Sequence, residues 1–406
     1  YRLSINQLTD SSCPHLASGI RNNPTLRTLN LSGNNLEGLH FKDLMAALTT
    51  SRIEELQLYN NHLTDSSCPH LASGIRNNPT LRTLDLSRNN LEGPHFRDLM
   101  AALTTSRIEE LRLSYTHLTD SSCPHLASGI TNNQTLRTLD LSMNNLEGPH
   151  FRDLMAALTT SRIEELQLAS THLTDSSCPH LASGISNYPT LRTLDLSMNN
   201  LEGPHFRDLM AALTTSRIEG LQLDTTHLTD SSCPHLASGI RNNPTLRTLD
   251  LSWNNLEGPH FRDLMAALTT SRIEELQLVG NHLTDSSCPH LGSGIRNNPT
   301  LRTLNLSGNN LEGPHFRDLM AALTTSRIEE LQLYDNHLTD SSCPQLASGI
   351  RNNPTLRTLV LSGNNLEGPH FGDLMGSDNK PDRGITIVLQ SPDRHFLPPP
   401  GIWNKK

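Results

Sequence analysis

The chain has 406 residues, a formal net charge of −9 and only 4% aromatic residues. The negative charge argues against a nucleic-acid-binding protein, which would carry a basic stripe, and it is compatible with a basic protein partner. No apolar run reaches the roughly 18–20 residues that are needed to cross a bilayer, so we expect no membrane partner.

The sequence is an internal repeat, in which Cys13 and Cys68 mark equivalent positions 55 residues apart. Each period has two unequal halves, of 27 and 28 residues, that begin with the same frame, LxxLxLxxN/TxL. One copy of the first half is LRTLDLSRNNLEGPHFRDLMAALTTSR (residues 81–107). The second half that follows it is IEELRLSYTHLTDSSCPHLASGITNNQT (residues 108–135).

The opening letters of each half predict a short β-strand. In LRTLDLS, Leu81, Leu84 and Leu86 alternate with polar residues, which predicts one buried and one exposed face. The asparagine that follows, Asn89 in this copy, is expected inside, where its amide must hydrogen-bond the backbone of the neighbouring turn. Because the second halves place Asn or Thr there, we expect these bonds to form a continuous ladder.

A helical pattern completes each half. Phe96, Leu99, Met100 and Leu103 fall at i, i+3, i+4 and i+7, which predicts one apolar stripe facing the core. The second-half helix contributes a cysteine, Cys123 in this copy, so the seven cysteines occur once per period. Equivalent thiols two layers apart lie beyond the reach of a disulfide, and we therefore expect buried, reduced cysteines and a cytoplasmic location.

A strand and a helix in each half, stacked side by side, predict an α/β leucine-rich repeat horseshoe solenoid with a parallel concave sheet and convex helices. Residues 1–375 would form fourteen strand–helix units, the first of them truncated. The frame, the alternating 27- and 28-residue halves and the cysteine in the second helix resemble the ribonuclease inhibitor type of leucine-rich repeat. They are also similar to the C-terminal recognition domain of NOD-like innate immune receptors. The resemblance implies a recognition scaffold, which by itself names no partner.

The repeat pattern ends after Gly376. GSDNKPDRG (residues 376–384) has the composition of a turn or linker. ITIVLQ (residues 385–390) has the length of one further strand, and residues 391–406 are predicted to form an irregular tail. We expect residues 376–406 to cap the open end of the sheet.

The copies differ mainly in the two letters that precede the buried Asn or Thr, at the strand end on the predicted concave side. Exposed helix residues such as Ser128 recur unchanged, so exposure alone does not account for the variation. Arg, Tyr, Met and Trp, which are enriched in binding hot spots, occur among these letters. The alternative is drift after recent duplication. The predicted partner-binding residues here are Tyr59, Asn60, Arg88, Tyr115, Met143, Met198, Asp224, Trp253, Tyr334 and Asp335.

Two rows of carboxylates recur at fixed strand positions. Together on one face they would favour a basic ligand and speed its approach. The alternative is that they are solvated charges that keep the chain soluble. The first-half strands carry Asp85, Asp140, Asp195 and Asp250, which we include in the predicted partner-binding set, and the second-half strands carry Glu55, Glu110, Glu165, Glu275 and Glu330.

The 20 histidines do not indicate a metal site. In the triplet that ends at His125 the cysteine and histidine are two residues apart and cannot face one metal from a helix, and the last copy has Gln345 instead of histidine. No copy of Ser, His and Asp is distinguished from the others, whereas a catalytic centre needs a unique constellation. No glycine-rich phosphate loop is present. We therefore expect no enzyme activity, no metal and no cofactor.

The pattern favours a protein-recognition domain, and the resemblance implies the sensor part of an intracellular innate immune receptor with a nucleotide-binding domain upstream of Tyr1. The alternative is an inhibitor of a basic secreted enzyme, similar to ribonuclease inhibitor, although such inhibitors are richer in cysteine. A GTPase-activating or scaffold protein of the same repeat type is disfavoured, because near-identical copies offer no unique polar residues on one edge.

Overall fold

The computed structural model describes residues 1–76, 78–131, 133–186, 188–241, 243–296, 298–376 and 385–389. The chain forms two compact units, Tyr1–Asp195 and Leu196–Lys406. In each unit short strands and helices alternate along the chain, and consecutive strands pair in parallel and in register. The predicted leucine-rich repeat architecture, an α/β solenoid, is confirmed within each unit.

The described residues of unit 1 form seven strands and seven α-helices. The strands are β1 (Thr28–Asn30), β2 (Glu55–Gln57), β3 (Thr83–Asp85), β4 (Glu110–Arg112), β5 (Thr138–Asp140), β6 (Glu165–Gln167) and β7 (Thr193–Asp195). The helices are α1 (Cys13–Arg21), α2 (Phe41–Leu48), α3 (Cys68–Arg76), α4 (Phe96–Leu103), α5 (Cys123–Thr131), α6 (Phe151–Leu158) and α7 (Cys178–Ser186).

Unit 2 repeats this plan. Its strands are β8 (Gly220–Gln222), β9 (Thr248–Asp250), β10 (Glu275–Gln277), β11 (Thr303–Asn305), β12 (Glu330–Gln332), β13 (Thr358–Val360) and β14 (Thr386–Val388). Its helices are α8 (Phe206–Leu213), α9 (Cys233–Arg241), α10 (Phe261–Leu268), α11 (Cys288–Ile295), α12 (Phe316–Leu323), α13 (Cys343–Asn352) and α14 (Phe371–Met375).

Strand β14 lies in the segment expected to form a cap. It pairs in parallel with β13, Leu359 facing Ile387 in the register. The predicted linker at residues 377–384 and the predicted tail at residues 390–406 lie outside the described residues. The capping role of residues 376–406 stays a prediction.

The core is built as the leucine pattern predicts. Leu84 of β3 and its neighbour Leu86 are fully buried, and Phe96 and Leu103 of α4 are 1% exposed. Each strand is three residues long, and backbone hydrogen bonds to the neighbouring repeat half continue past its end. None of the helices in the described part of the chain is long and apolar enough to span a membrane.

The buried asparagine that follows each first-half strand forms the predicted ladder. Asn89 Oδ1 accepts the backbone N–H groups of Asn61 (3.0 Å) and Leu63 (2.9 Å) from the preceding repeat half. Its Nδ2 donates to the carbonyls of Leu58 (3.0 Å) and Leu86 (2.7 Å). One amide therefore satisfies four backbone groups in two layers and fixes the chain where it turns away from the sheet.

A second set of side chains fixes the turn before each second-half helix. The carboxylate of Glu92 accepts hydrogen bonds from the hydroxyls of Thr119 (3.0 Å) and Ser121 (2.9 Å) and from that of Ser122. Because the same bonds recur around Glu147 and Glu202, the frame is held by equivalent contacts in both units.

All seven cysteines are buried free thiols, as the repeat spacing predicts. Burial, together with the nearby carboxylates of Asp120 and Asp153, raises the pKa of Cys123 to about 12. A thiol that stays protonated at neutral pH is a poor nucleophile and a poor metal ligand. These cysteines are core residues.

Candidate partner-binding surface

The residue immediately before each buried Asn or Thr lies in left-handed backbone at all fourteen of its positions, with φ between +50° and +76°. We call these fourteen residues the strand-end row. In unit 1 they are Ile5, Gly33, Asn60, Arg88, Tyr115, Met143 and Ser170, and in unit 2 they are Met198, Thr225, Trp253, Gly280, Gly308, Asp335 and Gly363. The sequence located the row at the strand end but did not predict its backbone conformation.

Backbone hydrogen bonds place neighbouring members of the row side by side within each unit. In unit 1 the N–H of Arg88 donates to the carbonyl of Ser114, and the N–H of Tyr115 donates to that of Ser142, both at 2.9 Å. In unit 2 the N–H of Trp253 donates to the carbonyl of Val279 at 2.7 Å. The ladder of the sheet thus continues beyond the strands and carries the row with it.

Several apolar side chains of the row are exposed. Tyr115 is 49%, Met143 50%, Met198 41% and Trp253 55% accessible to solvent. Large exposed apolar groups that lie in one row are typical of surfaces that bind other molecules. Each unit presents such a surface at the carboxyl ends of its strands.

In unit 1 the row forms a cluster of one cation and two aromatic rings. The guanidinium carbon of Arg88 lies 5.6 Å from the ring centroid of Tyr59 and 5.8 Å from that of Tyr115. The ring of Tyr115 also lies 5.4 Å from the imidazole of His117. Cation–π contacts at this distance hold the long arginine side chain in place before any partner arrives.

In unit 2 the aromatic side chains lie on glycines instead. A Cβ atom on Gly280 would approach Cε3 of Trp253 to 2.5 Å, so the indole rests directly on the backbone of the next strand end. A Cβ atom on Gly363 would approach Cε2 of Tyr334 to 3.0 Å. Glycine at these two row positions therefore makes room for a neighbouring ring.

The first-half aspartates that were predicted to face a partner are engaged by their own strand. The Oδ1 atoms of Asp85, Asp140 and Asp250 each accept the backbone N–H of the serine two residues on, at 2.9 Å. Asn305 makes the same bond at 3.0 Å, so the position requires an acceptor oxygen and no charge. These aspartates therefore have a structural role that the sequence did not predict. Their role in partner binding stays a prediction.

Asp195 and Asp224 correct the predicted set, because each is only 6% exposed. Asp224 is held inward by the hydroxyl of Ser197, which donates to its Oδ1. Burial raises the pKa of Asp224, and the bond from Ser197 works against that rise. Asp195 is the last residue of β7, in register with Gln167. Neither carboxylate offers much surface to a partner.

Arg112 in β4 is a charged residue that the sequence analysis missed. Its guanidinium pairs with Glu110, Nε lying 2.7 Å from Oε1. Burial works against its charged form, but Glu110, Asp85 and Asp140 outweigh burial and raise its pKa. The sequence could have revealed this residue, since all the other second-half strands from β2 to β12 have glutamine at the equivalent position.

The remaining predicted residues differ in exposure. Asn60 and Asp335 are exposed, and Tyr59 and Tyr334 are half-buried beside the row. Among the described residues no group of three or more His, Cys, Asp or Glu side chains is arranged to hold a metal ion. The strand-end row and its neighbours offer apolar area, one held guanidinium, aromatic faces and carboxylates.

Comparison with known proteins gives the repeat type and two groups of relatives. A family model described as "Leucine Rich repeat" matches residues 22–38, 77–94, 132–149, 189–204, 242–259, 297–314 and 352–369. The ribonuclease inhibitor of the pig (Sus scrofa) is 33% identical over 394 residues, which cover 94% of this chain and 86% of the inhibitor.

Human NACHT, LRR and PYD domains-containing proteins match over a smaller share of their own length. Protein 12 is 31% identical over 75% of this chain and 30% of its own length. Protein 5 is 28% identical over 94% of this chain and 33% of its own length. The chain therefore spans about a third of these relatives.

A solved structure described as a TLR13–ssRNA13 complex has a similar fold. Its TM-score is 0.52 at 18% sequence identity, and the match covers 90% of this chain and 50% of that one. At this identity the likeness shows the fold alone.

Proposed function

Because the chain belongs to the ribonuclease inhibitor family of leucine-rich repeat proteins, we propose that it is a protein-recognition domain whose strand-end row contacts the partner. The observation that supports this proposal most is that the strand-end row is variable, largely exposed and held in strained backbone. It uses ten residue types at fourteen positions, all of them in left-handed backbone.

The strain argues that these side chains are not there for stability. A residue with a Cβ atom is about 1–2 kcal/mol less stable in left-handed than in right-handed backbone, whereas glycine adopts both. Glycine stands at four row positions, so the frame accepts a residue without a side chain. Arg88, Met198 and Trp253 must be retained for another reason, and contact with a partner is the reason that we propose.

The helix side of the repeat supports the same inference by contrast. The residue equivalent to Ser128 is serine in all seven copies and exposed in all seven. Drift after duplication would alter these serines as readily as the strand-end row. Variation that is concentrated at the strand ends, while another exposed row stays fixed, is what selection for different contacts would leave.

We further propose that the domain is the sensor part of a cytoplasmic innate immune receptor and that it acts without catalysis. The similarity to the NACHT, LRR and PYD domains-containing proteins supports this assignment. A receptor of that kind would carry a nucleotide-binding domain upstream in the same chain. A P-loop motif in the reading frame upstream of Tyr1 supports the assignment, and a frame that starts close to Tyr1 contradicts it.

Retention of proteins from cell extract by the immobilised chain, measured by quantitative mass spectrometry, tests the proposed surface. The unit 1 variant changes Arg88, Tyr115 and Met143 to glycine, and the unit 2 variant changes Met198 and Trp253 to glycine. The matched control changes Ser128, Ser183 and Ser238 on the helix side to alanine. Each retained protein is then purified and its affinity for all four chains measured.

We expect at least one row variant to bind the retained partner about tenfold or more weakly, because a few anchors carry most of the binding energy of an interface. The serine control should bind as the unmodified chain does, and all four chains should melt within a few degrees of one another. Partners that bind both row variants as tightly as the unmodified chain contradict the proposal.

The second candidate is an inhibitor of a basic secreted enzyme. The similarity to the pig ribonuclease inhibitor over most of both chains favours it, as does the net charge of −9. Inhibition of pancreatic ribonuclease A by the purified chain decides between the two. Inhibition by nanomolar chain that is lost in the row variants supports the inhibitor function. Full ribonuclease activity in the presence of micromolar chain excludes inhibition of this enzyme.

A further inference from the structure

The strand-end row of unit 2 contains a notch with an aromatic wall. The indole of Trp253 lies on Gly280, where a Cβ atom would approach Cζ3 to 2.8 Å. The indole remains 55% exposed, so much of its surface away from the glycine faces solvent. Within the described chain its Nε1 donates no hydrogen bond, and the ring is held by packing alone.

Gly308 forms the floor next to that wall. A Cβ atom there would lie 3.6 Å from the backbone nitrogen of Gly280 and 3.8 Å from Cγ1 of Val279, which are ordinary contacts, so the position has room for a side chain. Adjacent strands lie about 4.8 Å apart, which separates the ends of β9 and β12 by about 14 Å. Because the indole covers Gly280, about the width of one side chain remains over Gly308.

Asp335 closes the notch on the far side. It is the next row residue after Gly308 and is exposed, and its carboxylate forms no ion pair within the described residues. Its backbone N–H donates to the carbonyl of Ser362 at 3.0 Å, which places it on the continuing ladder. The notch therefore has an aromatic side and an anionic side.

The charged residues on the strands of unit 2 are of one sign. The described strands of unit 2 carry Asp250, Glu275 and Glu330 and no lysine or arginine, and the strand-end row adds Asp335. In unit 1 the row supplies its own cation, and the guanidinium of Arg88 lies against two tyrosine rings. The strand-end row of unit 2 has an aromatic ring and a carboxylate but no arginine.

We propose that the notch formed by Trp253, Gly308 and Asp335 receives an arginine side chain of the protein partner. A guanidinium is planar, stacks on an indole and donates two parallel hydrogen bonds to a carboxylate, which a lysine ammonium does not. This proposal rests on the proposed recognition function and states which side chain of the partner is bound in unit 2.

The fluorescence of Trp253 tests the notch directly. The chain has two tryptophans, so Trp403→Phe leaves Trp253 as the only one. Hexa-arginine, hexalysine and hexacitrulline peptides are titrated into this chain at constant ionic strength.

Hexa-arginine should change the fluorescence saturably and bind at least about fivefold more tightly than hexalysine, and hexacitrulline should not bind. Asp335→Asn and Gly308→Asn should each weaken hexa-arginine about fivefold or more. Asparagine is compatible with left-handed backbone, as Asn60 shows at the equivalent position. Asp250→Asn is the matched control, because it removes a charge while keeping the acceptor oxygen that Asn305 provides elsewhere.

Gly308→Arg adds a second test, because it places a guanidinium beside Trp253 within the chain itself. Arg88 shows that arginine is accepted at this backbone conformation. This variant should reproduce the fluorescence change without peptide and should no longer respond to hexa-arginine.

The proposal that the notch binds arginine is overturned if hexa-arginine and hexalysine bind equally. It is also overturned if hexa-arginine binding survives Asp335→Asn and Gly308→Asn. Either result leaves the proposed recognition function standing, because that function is measured separately through retained proteins and the row variants. A fluorescence change that is also produced by hexacitrulline shows stacking without charge and equally overturns the proposal.

Discussion

Units 1 and 2 share one frame and differ at their strand ends. Asn89 in unit 1 and Asn254 in unit 2 bond the same four kinds of backbone group, and Glu147 and Glu202 bond equivalent hydroxyls. One residue before those asparagines, Arg88 lies between two tyrosine rings while Trp253 lies on a glycine. The backbone is therefore a constant support, and each unit displays different chemistry on it.

The largest expected effect is a loss of stability, and it tests whether the buried asparagine contributes equally in both units. Asn89→Ala and Asn254→Ala should each lower the free energy of unfolding by about 3 kcal/mol or more, because four buried backbone groups lose their partner. Urea denaturation followed by circular dichroism measures the loss. The neighbouring Asn90 and Asn255 are exposed, and their alanine variants should lie within about 0.5 kcal/mol of the unmodified chain. Unequal losses at Asn89 and Asn254 would show that the two frames are not equivalent.

The next effect isolates the glycine under the indole. Gly280→Ala should destabilise the chain by about 1–2 kcal/mol, since the new Cβ atom displaces Trp253 and takes a left-handed conformation. The emission of Trp253 in the Trp403→Phe chain should shift to the red as the ring moves into solvent. Ser170→Ala is the control in unit 1, because Ser170 already has a Cβ atom at the same backbone angle. An unchanged emission would mean that the indole does not rest on Gly280.

A pH-dependent effect of about 1 kcal/mol should be shared by both units. Burial works to raise the pKa of Glu147 and Glu202, but bonds from neighbouring serine and threonine hydroxyls outweigh it and lower both values. A carboxylate with a lowered pKa stabilises the fold above its unfolded pKa of about 4.3, and the stabilisation is lost as the pH falls through the folded value.

Glu147→Gln and Glu202→Gln should therefore reduce stability at pH 7 and converge with the unmodified chain as the pH falls through the folded pKa of each glutamate. Thermal unfolding measured across this range gives the curves. A constant difference between variant and unmodified chain at every pH would show that ionisation of these glutamates does not contribute.

The smallest effect probes the strain in the strand-end row. Thr225→Gly should stabilise the chain by about 0.5 kcal/mol, because relief of a β-branched residue in left-handed backbone slightly exceeds the added freedom of the unfolded chain. Gly308→Ala at the equivalent position should have the opposite sign. Urea midpoints resolve both changes. If Thr225→Gly destabilises the chain, the side chains of the strand-end row contribute to folding. The row would then not differ in role from the buried frame.

Most of the frame follows from the sequence alone. The leucine spacing predicts the short strands and their buried face, and the recurring Asn predicts the ladder that Asn89 forms. Both succeed because burial of apolar groups and satisfaction of buried amides have few solutions in a stacked repeat.

The surface was predicted less completely, because its geometry depends on contacts between repeats. Arg88 and Met143 are letters that give no sign of left-handed backbone, and only the glycines at equivalent positions, such as Gly33 and Gly280, carried that signal. The aspartate row was expected to face a ligand, but Asp85 bonds its own backbone and Asp224 is buried against Ser197. Such bonds use short-range geometry that an alternating pattern does not specify.

The claim at the centre of this account is that the strand-end side chains are retained for what they contact. The most direct measurement is the ratio of amino-acid-replacing to silent nucleotide differences among the repeat copies, taken position by position. The account predicts an excess of replacing differences at the strand-end row and an excess of silent ones at the exposed serines equivalent to Ser128. The same ratio at both sets of positions would contradict it.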